Sequence, residues 1–427
     1  MRFLQSLTQL ENHCNTKKSR NTKVKFQNKK ENSKCIYYFE NKLRKVYPYN
    51  FPVKFHAKPR WFGKKIVDAF TEEFSSFKFQ MNEFEHKINA GDFTANKQKI
   101  DKDFIIKKGD TFESVIHVHE NPVLETNIEI VHIDDNFVVV DKPASIPTHP
   151  VNFYKYNSIT AIVEQKCNLK SLFCPYRIDR LASGTLVLCR NSKTLNKIID
   201  DIKTQRVTKY YLSLVIGEFP DGIIDCNKPI QVVDFKIGFS SVSTTGKPSL
   251  TKFKKLHYNG KYSLVLCMPV TGRKHQIRVH LQYLGYPIVN DILYNENHFD
   301  NNFYNYYKFL DPSITIKQTK YNRIFSNRKF EDYDNFSKNQ KILDFDLAYL
   351  NSLKELNYQN EYKNITNDYS EFNQNFMHID QHCFKCQNKF EEPSLDLLEL
   401  WLHAIRYQGP DWDFQTRPPI WVNEFLN

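Results

Sequence analysis

The chain of 427 residues carries 60 lysines and arginines against 48 aspartates and glutamates, a formal net charge of +12, together with 34 Phe and 24 Tyr. That length suits one large core with an appendage, or two domains; there is no run of about 18 apolar residues that would make a membrane-spanning helix and no secretory apolar segment at the start. A basic, aromatic-rich surface fits a polyanion whose bases can stack, although an ordinary basic protein has the same balance.

Residues 1–34 are polar and basic, with Lys17, Lys18, Arg20, Lys23, Lys25, Lys29 and Lys30 against Glu11 and Glu31. They read as a disordered arm that meets RNA electrostatically, with a mitochondrial transit peptide built on Arg2, Ser6 and the leucines as the rival reading. Residues 35–125 form a distinct N-terminal α+β segment. Ile66, Ala69, Phe70 and Phe74 fall on one stripe and predict a helix, and the stretches 88–96 and 105–110 read as short strands with glycine turns. The segment weakly resembles the tail of an S4-type RNA-binding module.

Residues 126–294 read as the main α+β core, a mixed, mainly antiparallel sheet with flanking helices. Residues 129–133 and 137–140 flank Asp134-Asp135-Asn136 as a hairpin. Strands are expected at 185–189, 208–216 and 262–268. Ser192 is expected to cap a helix with Leu195, Ile198, Ile199 and Ile202 on one face. A short helix over 276–284 ends at Gly285, with Ile277, Leu281 and Leu284 facing the core. From 295 to 376 the composition shifts to Asn, Tyr, Lys, Asp and Phe without a period, as in a long, partly disordered insertion. Order returns over 377–427, where Leu395, Leu397, Leu398, Leu400 and Leu402 precede a Trp/Pro-rich end, and this part is assigned to the same domain as the core.

Nine cysteines, odd in number and irregularly spaced, argue against a disulfide framework and for a reducing compartment. Cys383-Phe384-Lys385-Cys386, with His378 and His382 upstream, has some look of a zinc clasp. A structural zinc site needs four ligands of suitable geometry, and this signal is too weak to assign a metal.

Asp179 lies in Tyr176-Arg177-Ile178-Asp179-Arg180-Leu181-Ala182-Ser183-Gly184-Thr185-Leu186-Val187-Leu188, an acid between two arginines at the mouth of an apolar strand. Flanking guanidinium groups favour an ionised, nucleophilic carboxylate; a surface ion pair is the equally weighted alternative. Two further stretches stand with it: Lys209-Tyr210-Tyr211-Leu212-Ser213-Leu214-Val215-Ile216-Gly217, and Thr271-Gly272-Arg273-Lys274-His275-Gln276-Ile277-Arg278-Val279-His280. In type, order and separation these three resemble the motifs of the RluA-type pseudouridine synthases. The likeness covers roughly residues 126–294 and extends to Leu402-His403-Ala404. Residues 58–63 (Lys-Pro-Arg-Trp-Phe-Gly) and 117–122 (His-Val-His-Glu-Asn-Pro) look like the eukaryotic branch.

The resemblance implies a pseudouridine synthase catalytic fold and an RNA-modifying isomerase without a cofactor. It implies Asp179 as the nucleophile, Arg278 as its ion partner, and Tyr211 as the ring stacked on the uracil and an aid to loss of the C5 proton. It implies Arg177 as the wedge that fills the gap left by a flipped uridine, and Arg180, Lys209, Arg273 and His275 as RNA contacts. The expected substrate is structured RNA, foremost a uridine of the tRNA anticodon stem-loop such as position 32, with ribosomal or messenger RNA as alternatives. The protein is expected to be a monomer needing no protein partner and no membrane, in the cytoplasm or nucleus or else the mitochondrion. Tyr176 and Ala182 depart from the family's usual His and Thr, which puts the geometry of the Asp179 loop in question. A fused zinc deaminase is set aside, because none of the 14 histidines is followed by x-Glu. The non-enzymatic alternative is an RNA-binding protein on the same fold, for which Asp179, Tyr211 and Arg278 together would have no use.

Overall fold

The computed structural model describes residues 37–73, 78–235, 237–298, 334–335, 344–358, 364–365, 371–388 and 391–426. The basic arm, Phe74 and most of the Asn/Tyr/Lys-rich stretch lie outside the described residues. No helix among the described residues is long and apolar enough to cross a membrane.

The N-terminal segment opens with β1 (Tyr37–Glu40), β2 (Leu43–Val46) and β3 (Tyr49–His56). Helices Ile66–Glu73 and Lys78–Ala90 follow, then β4 (Phe93–Ala95), β5 (Gln98–Lys99), β6 (Thr111–Val118) and β7 (Val123–Leu124). β3, β6, β4 and β5 form one sheet in that order. It packs on the helices through Phe55, Trp61, Ile66, Phe70, Phe93 and Phe112, all buried. The predicted stripe holds for Ile66, Ala69 and Phe70, which are the buried residues of their helix.

The larger sheet is built from β8 (Ile128–Ile133), β9 (Phe137–Lys142), β10 (Ser183–Cys189), β11 (Thr208–Ile216) and β12 (Ile223–Asn227). A side hairpin of β13 (Ile230–Asp234) and β14 (Phe239–Val242) precedes β15 (Leu250–Tyr258) and β16 (Tyr262–Pro269), which return to it. The chain's later part adds β17 (Asp334–Asn335), β18 (Asn364–Ile365), β19 (Leu402–Gln408) and β20 (Asp413–Gln415). The order is β17-β12-β15-β16-β11-β19-β10-β9-β8-β18, with β20 beside β19. All its pairings are antiparallel except that of β10 with β19. The strand from the end of the sequence therefore fills the middle of the sheet.

Central strands read as continuous apolar runs because both of their faces are covered. Val139, Val187, Tyr211, Val265 and Cys267 face one layer with helix Gln276–Tyr283. On the opposite face, Val138, Val140, Leu186 and Leu188 pack against helix Ile159–Lys166. Tyr210, Leu212, Leu264 and Leu266 on that same face meet Phe345, Leu350, Leu353 and Trp421. Helix Leu347–Ser352 belongs to the stretch in which no period was evident. Asp346 caps it by accepting from the Tyr349 N–H at 2.8 Å, and it is too short to display a helical repeat.

One cap differs from expectation. The helix Ser192–Lys203 is capped by Asn191, whose side chain accepts from the Thr194 N–H at 2.9 Å. Asn191 holds an extended backbone (φ −144°, ψ 158°), the conformation of an N-cap, which leaves Ser192 as the first helical residue.

β10 and β19 approach closely at Gly184, which has φ +106°. A Cβ there would meet the Ala404 carbonyl oxygen at 2.3 Å and its nitrogen at 2.6 Å. Gly184→Ala should cost roughly 2–4 kcal/mol, from strain and from displaced backbone, and should show as a lower urea midpoint at unchanged m-value. Two histidines in this layer are buried and held uncharged by burial: His403 is pushed down to about 3 and His280 to about 4. Their depressed values mean that the unfolded chain binds more protons below the ordinary histidine pKa. Stability is thus complete above about pH 6.5 and falls as pH drops toward these values, at about 1.4 kcal/mol per pH unit for each histidine. Urea unfolding at pH 7 and pH 5 should show this loss, and His403→Gln should flatten it.

Candidate active site

Asp179 lies on the loop that enters β10, and that loop is pinned from several sides. The Ala182 N–H donates to the Asp179 carbonyl at 3.2 Å, closing the turn through backbone alone. The hydroxyl missing at Ala182 is therefore not what shapes it. The Leu400 N–H donates to the Leu181 carbonyl at 2.9 Å. Lys142, fully buried, donates from Nζ to the carbonyls of Pro143 and Ile146 at 2.8 Å each and of Arg180 at 3.1 Å. Burial pushes the Lys142 pKa well down, but three carbonyl acceptors are matched only by the three N–H groups of an ammonium.

Arg278 stands on helix Gln276–Tyr283 and is buried, with 4% exposure. It donates to Asp291 through Nε at 2.7 Å and Nη2 at 2.8 Å, and through Nη1 to Asp179 Oδ2 at 3.4 Å. Asp291 is fully buried and also accepts the N–H groups of Leu293 at 2.9 Å and Tyr294 at 3.1 Å. The Tyr294 ring lies under the Arg278 guanidinium at 4.8 Å, and its hydroxyl contacts His275 Nδ1 at 2.9 Å. Nη1, the remaining nitrogen of the fork, is thus left for Asp179, whose side chain keeps 28% exposure.

Burial works to raise the Asp179 pKa, but His275, Arg278 and Lys274 outweigh it and hold the carboxyl below its ordinary value. His275 is itself pushed down to about 3, chiefly by burial, and is uncharged at neutral pH. Arg278 and Lys274 therefore carry the field that keeps Asp179 ionised there.

Tyr211 reaches the same place from β11. The pairing of β11 with β19 shifts register between Tyr210 and Tyr211, a bulge of the kind that re-aims a side chain beside a site. Tyr210 turns to the opposite face of the sheet, and Tyr211 faces the layer of Asp179. The Tyr211 hydroxyl is hydrogen-bonded to that of Tyr407. Burial, with Asp179 nearby, raises its pKa, so the phenol is neutral. Tyr176 does not project as a free stacking platform. Its ring stacks on Tyr407 at 4.6 Å and 6°, and its hydroxyl accepts from the Val187 N–H at 3.0 Å.

The remaining sequence candidates differ in exposure and in what holds them. Arg177 is exposed beside Asp179. Arg180 is tied back, donating to the Ser145 carbonyl at 3.2 Å with its guanidinium 5.4 Å from the Tyr154 ring. Arg273 is exposed and donates to the Pro248 carbonyl at 3.1 Å. Lys209 turns its ammonium toward Gly272, in the turn before Arg273, and burial lowers its pKa. His275 adopts a left-handed backbone (φ 56°) at the start of the Arg278 helix.

Asp291, Lys142, Tyr294 and Tyr407 were not singled out from the sequence. Asp291 had a visible signal, a lone acid within Ile288-Val289-Asn290-Asp291-Ile292-Leu293-Tyr294, because an isolated buried carboxylate requires a cationic partner. His378 and His382, the neighbours of the Cys383/Cys386 motif in sequence, are not the histidines gathered with it. His382 stacks on His86 at 3.5 Å, and His378 lies on Asn50 at 3.3 Å. His117 and His119 are the ones that meet the two cysteines.

The mixed, mainly antiparallel sheet with flanking helices, completed by β19, has the architecture of the pseudouridine synthase catalytic fold. The family model for RNA pseudouridylate synthase matches residues 136–283. The mitochondrial tRNA pseudouridine(32) synthase of Saccharomyces cerevisiae is 31% identical over 89% of this chain and 77% of its own. The tRNA pseudouridine(31) synthase of the same yeast is 30% identical over 90% of this chain and 96% of its own. Mouse pseudouridylate synthase RPUSD2 is 39% identical over 65% of this chain, which spans about half of that relative's length (50%). The chain belongs to the RNA pseudouridylate synthase family.

The charge arrangement carries a direct test. Asp291→Ala leaves Arg278 buried with its fork uncompensated and should cost roughly 3–5 kcal/mol in urea unfolding. Asp291→Asn, which keeps an acceptor, should cost less.

Proposed function

We propose that the protein is an RNA pseudouridine synthase that converts uridine to its C-glycoside in structured RNA. The observation that carries this reading is the Asp179 carboxylate, ionised and partly open, at Nη1 of an arginine whose Nε and Nη2 donate to Asp291. The reaction breaks the bond between N1 and C1′ and forms one between C5 and C1′. C5 loses a proton and N1 gains one, so composition and oxidation state are unchanged and the chemistry requires no cofactor. Asp179 is the nucleophile, toward C6 of the base or C1′ of the sugar; either route uses the same carboxylate. Arg278 keeps it charged and aimed. Tyr211 offers its ring to the uracil, and a neutral phenol suits stacking better than proton abstraction from the resting state.

Reaching a paired or stacked uridine requires flipping it out, at a cost of roughly a few kcal/mol. Arg177, exposed next to Asp179, would stack in the vacated space. Lys209, Arg273 and His275 would contribute contacts for the RNA, and Arg180 would brace the Asp179 loop through the Ser145 carbonyl.

The substrate we assign is a uridine of the tRNA anticodon stem-loop, position 32 first, on the strength of the relatives named for tRNA positions 32 and 31. The enzyme would act as a monomer, in the cytoplasm or nucleus, with the mitochondrion as the alternative. Purified protein should form pseudouridine in a tRNA transcript, read by carbodiimide-primer extension, and replacing the target uridine by cytidine should abolish the stop. Asp179→Asn should reduce conversion by about 10³-fold or more while leaving RNA binding intact. Full conversion by that variant would remove Asp179 from the mechanism.

A further inference from the structure

We propose that His117, His119, Cys383 and Cys386 form a structural zinc site that clasps the segment before the C-terminal strand to the N-terminal sheet. One ligand atom from each of the four falls within 4.8 Å of all the others. The Cys386 sulfur lies 3.3 Å from Nε2 of His117 and 3.3 Å from Nε2 of His119. A tetrahedral zinc with bonds of about 2.3 Å to sulfur and 2.0–2.1 Å to nitrogen requires ligand–ligand edges of roughly 3.4–3.8 Å, so closing these four onto an ion calls for shifts of well under a side chain's reach. Two sulfurs and two imidazoles are the donor set that selects zinc, and two thiolates leave the site electrically neutral.

The surroundings are arranged as a metal would need. His117 has its other ring nitrogen, Nδ1, 3.3 Å from the Asn50 side-chain oxygen. With the proton there, Nε2 presents its lone pair toward the cysteines, the usual way in which an outer partner fixes a ligating histidine. The Asp380 N–H points at the Cys386 sulfur at 3.4 Å, and the N–H groups of Cys386 and Gln387 fold back onto the Cys383 carbonyl at 3.1 and 3.2 Å. Cys383 is buried, and the short helix Phe384–Gln387 brings Cys386 round to the same side.

There is also a structural need for such a clasp. The segment 371–388 rests on the N-terminal part through scattered single contacts: the Asn373 N–H to the Tyr47 hydroxyl at 2.7 Å, Phe372 and Phe376 against Tyr38 and Tyr47 at 5.2 and 5.6 Å, His378 against Asn50, His382 on His86 at 3.5 Å, and Lys385 near the Asn121 side-chain oxygen at 3.5 Å. Phe372, Phe376 and Ile379 keep 43%, 44% and 58% exposure, so apolar burial does little to hold it. A metal supplies stability where a core is too thin to do so. The ligands come from β6 and its exit on one side and from the chain leading into β19 on the other, so the ion would join the two parts of the chain that flank the large sheet.

The full-length protein purified without chelator should carry about one zinc per chain by elemental analysis. Cobalt(II) added to the metal-stripped protein should give visible d–d bands and a near-ultraviolet thiolate-to-cobalt band. Cys386→Ser and His119→Ala should each lose the metal and the thiolate band signature, whereas His119→Cys should restore metal content. The double variant His378→Ala/His382→Ala should keep it. Chelation should expose two thiols to maleimide and lower the melting temperature. The proposal fails if the wild-type protein contains only traces of metal and cobalt gives no thiolate band, if a Cys383–Cys386 disulfide is found, or if His119→Ala with Cys386→Ser still binds one zinc. Should a ligand variant fail to fold, the cobalt spectrum of the wild-type protein decides alone. None of these readouts involves RNA, so they stand apart from the proposed reaction.

Discussion

A buried arginine between two carboxylates sets the terms for this site. Arg278 loses nearly all of its hydration in the fold, a cost of several kcal/mol that only close, well-aligned anions offset. Asp291 supplies most of that compensation through two short bonds, and its Oδ1 also accepts two backbone N–H groups. Asp179 sits at the longer contact and shares only one donor. The division of labour is chemical. The fully bonded carboxylate is inert and positions the guanidinium, whereas the loosely bonded one stays charged with lone pairs to spare. A single acid at this arginine would have to choose between those roles.

The large sheet turns that pair into a site. Its face toward helix Gln276–Tyr283 receives Asp179 from the mouth of β10 and Tyr211 from a bulge in β11, with β19 between them. Lys142 fastens the Asp179 loop from beneath by collecting three carbonyls, two from its own turn and one from the loop. The opposite face is given over to apolar packing, with helices over both halves. Rigidity and opening are thereby separated: the walls come from strands, and the exposed basic residues Arg177 and Arg273 stand on connections.

What could be read from the amino-acid order followed the range of the interactions. Strands such as 208–216 declared themselves by continuous apolar runs, and the helix carrying Arg278 by its spacing and by Gly285. Asp179, Tyr211 and Arg278 were legible because each sits in a stretch with a recognisable family likeness. The residues that hold them in place were not, since each is supplied from elsewhere in space. Asp291 comes from a turn whose pattern looks merely apolar, Lys142 from the end of a hairpin, Tyr407 from the far end of the chain. The Cys383/Cys386 pair shows the same limit. Nearby histidines in sequence looked like its companions, but β6 delivers two others across the fold. The helix after Asp346 went unseen because six residues do not display a period.

The position of β19 has a consequence for how the protein comes into being. Hydrogen-bonded neighbours in the finished sheet are made far apart in time: a ribosome will have released β10 and β11 long before it releases the strand that lies between them. Until then the two strands have open edges and apolar faces but no mutual register, the situation in which nascent chains are most exposed to wrong pairing. The basin that holds Asp179 beside Tyr211 therefore cannot assemble progressively during synthesis. It closes in one late, long-range step, so a chain interrupted before β19 would have every catalytic candidate in its sequence and no place to bring them together.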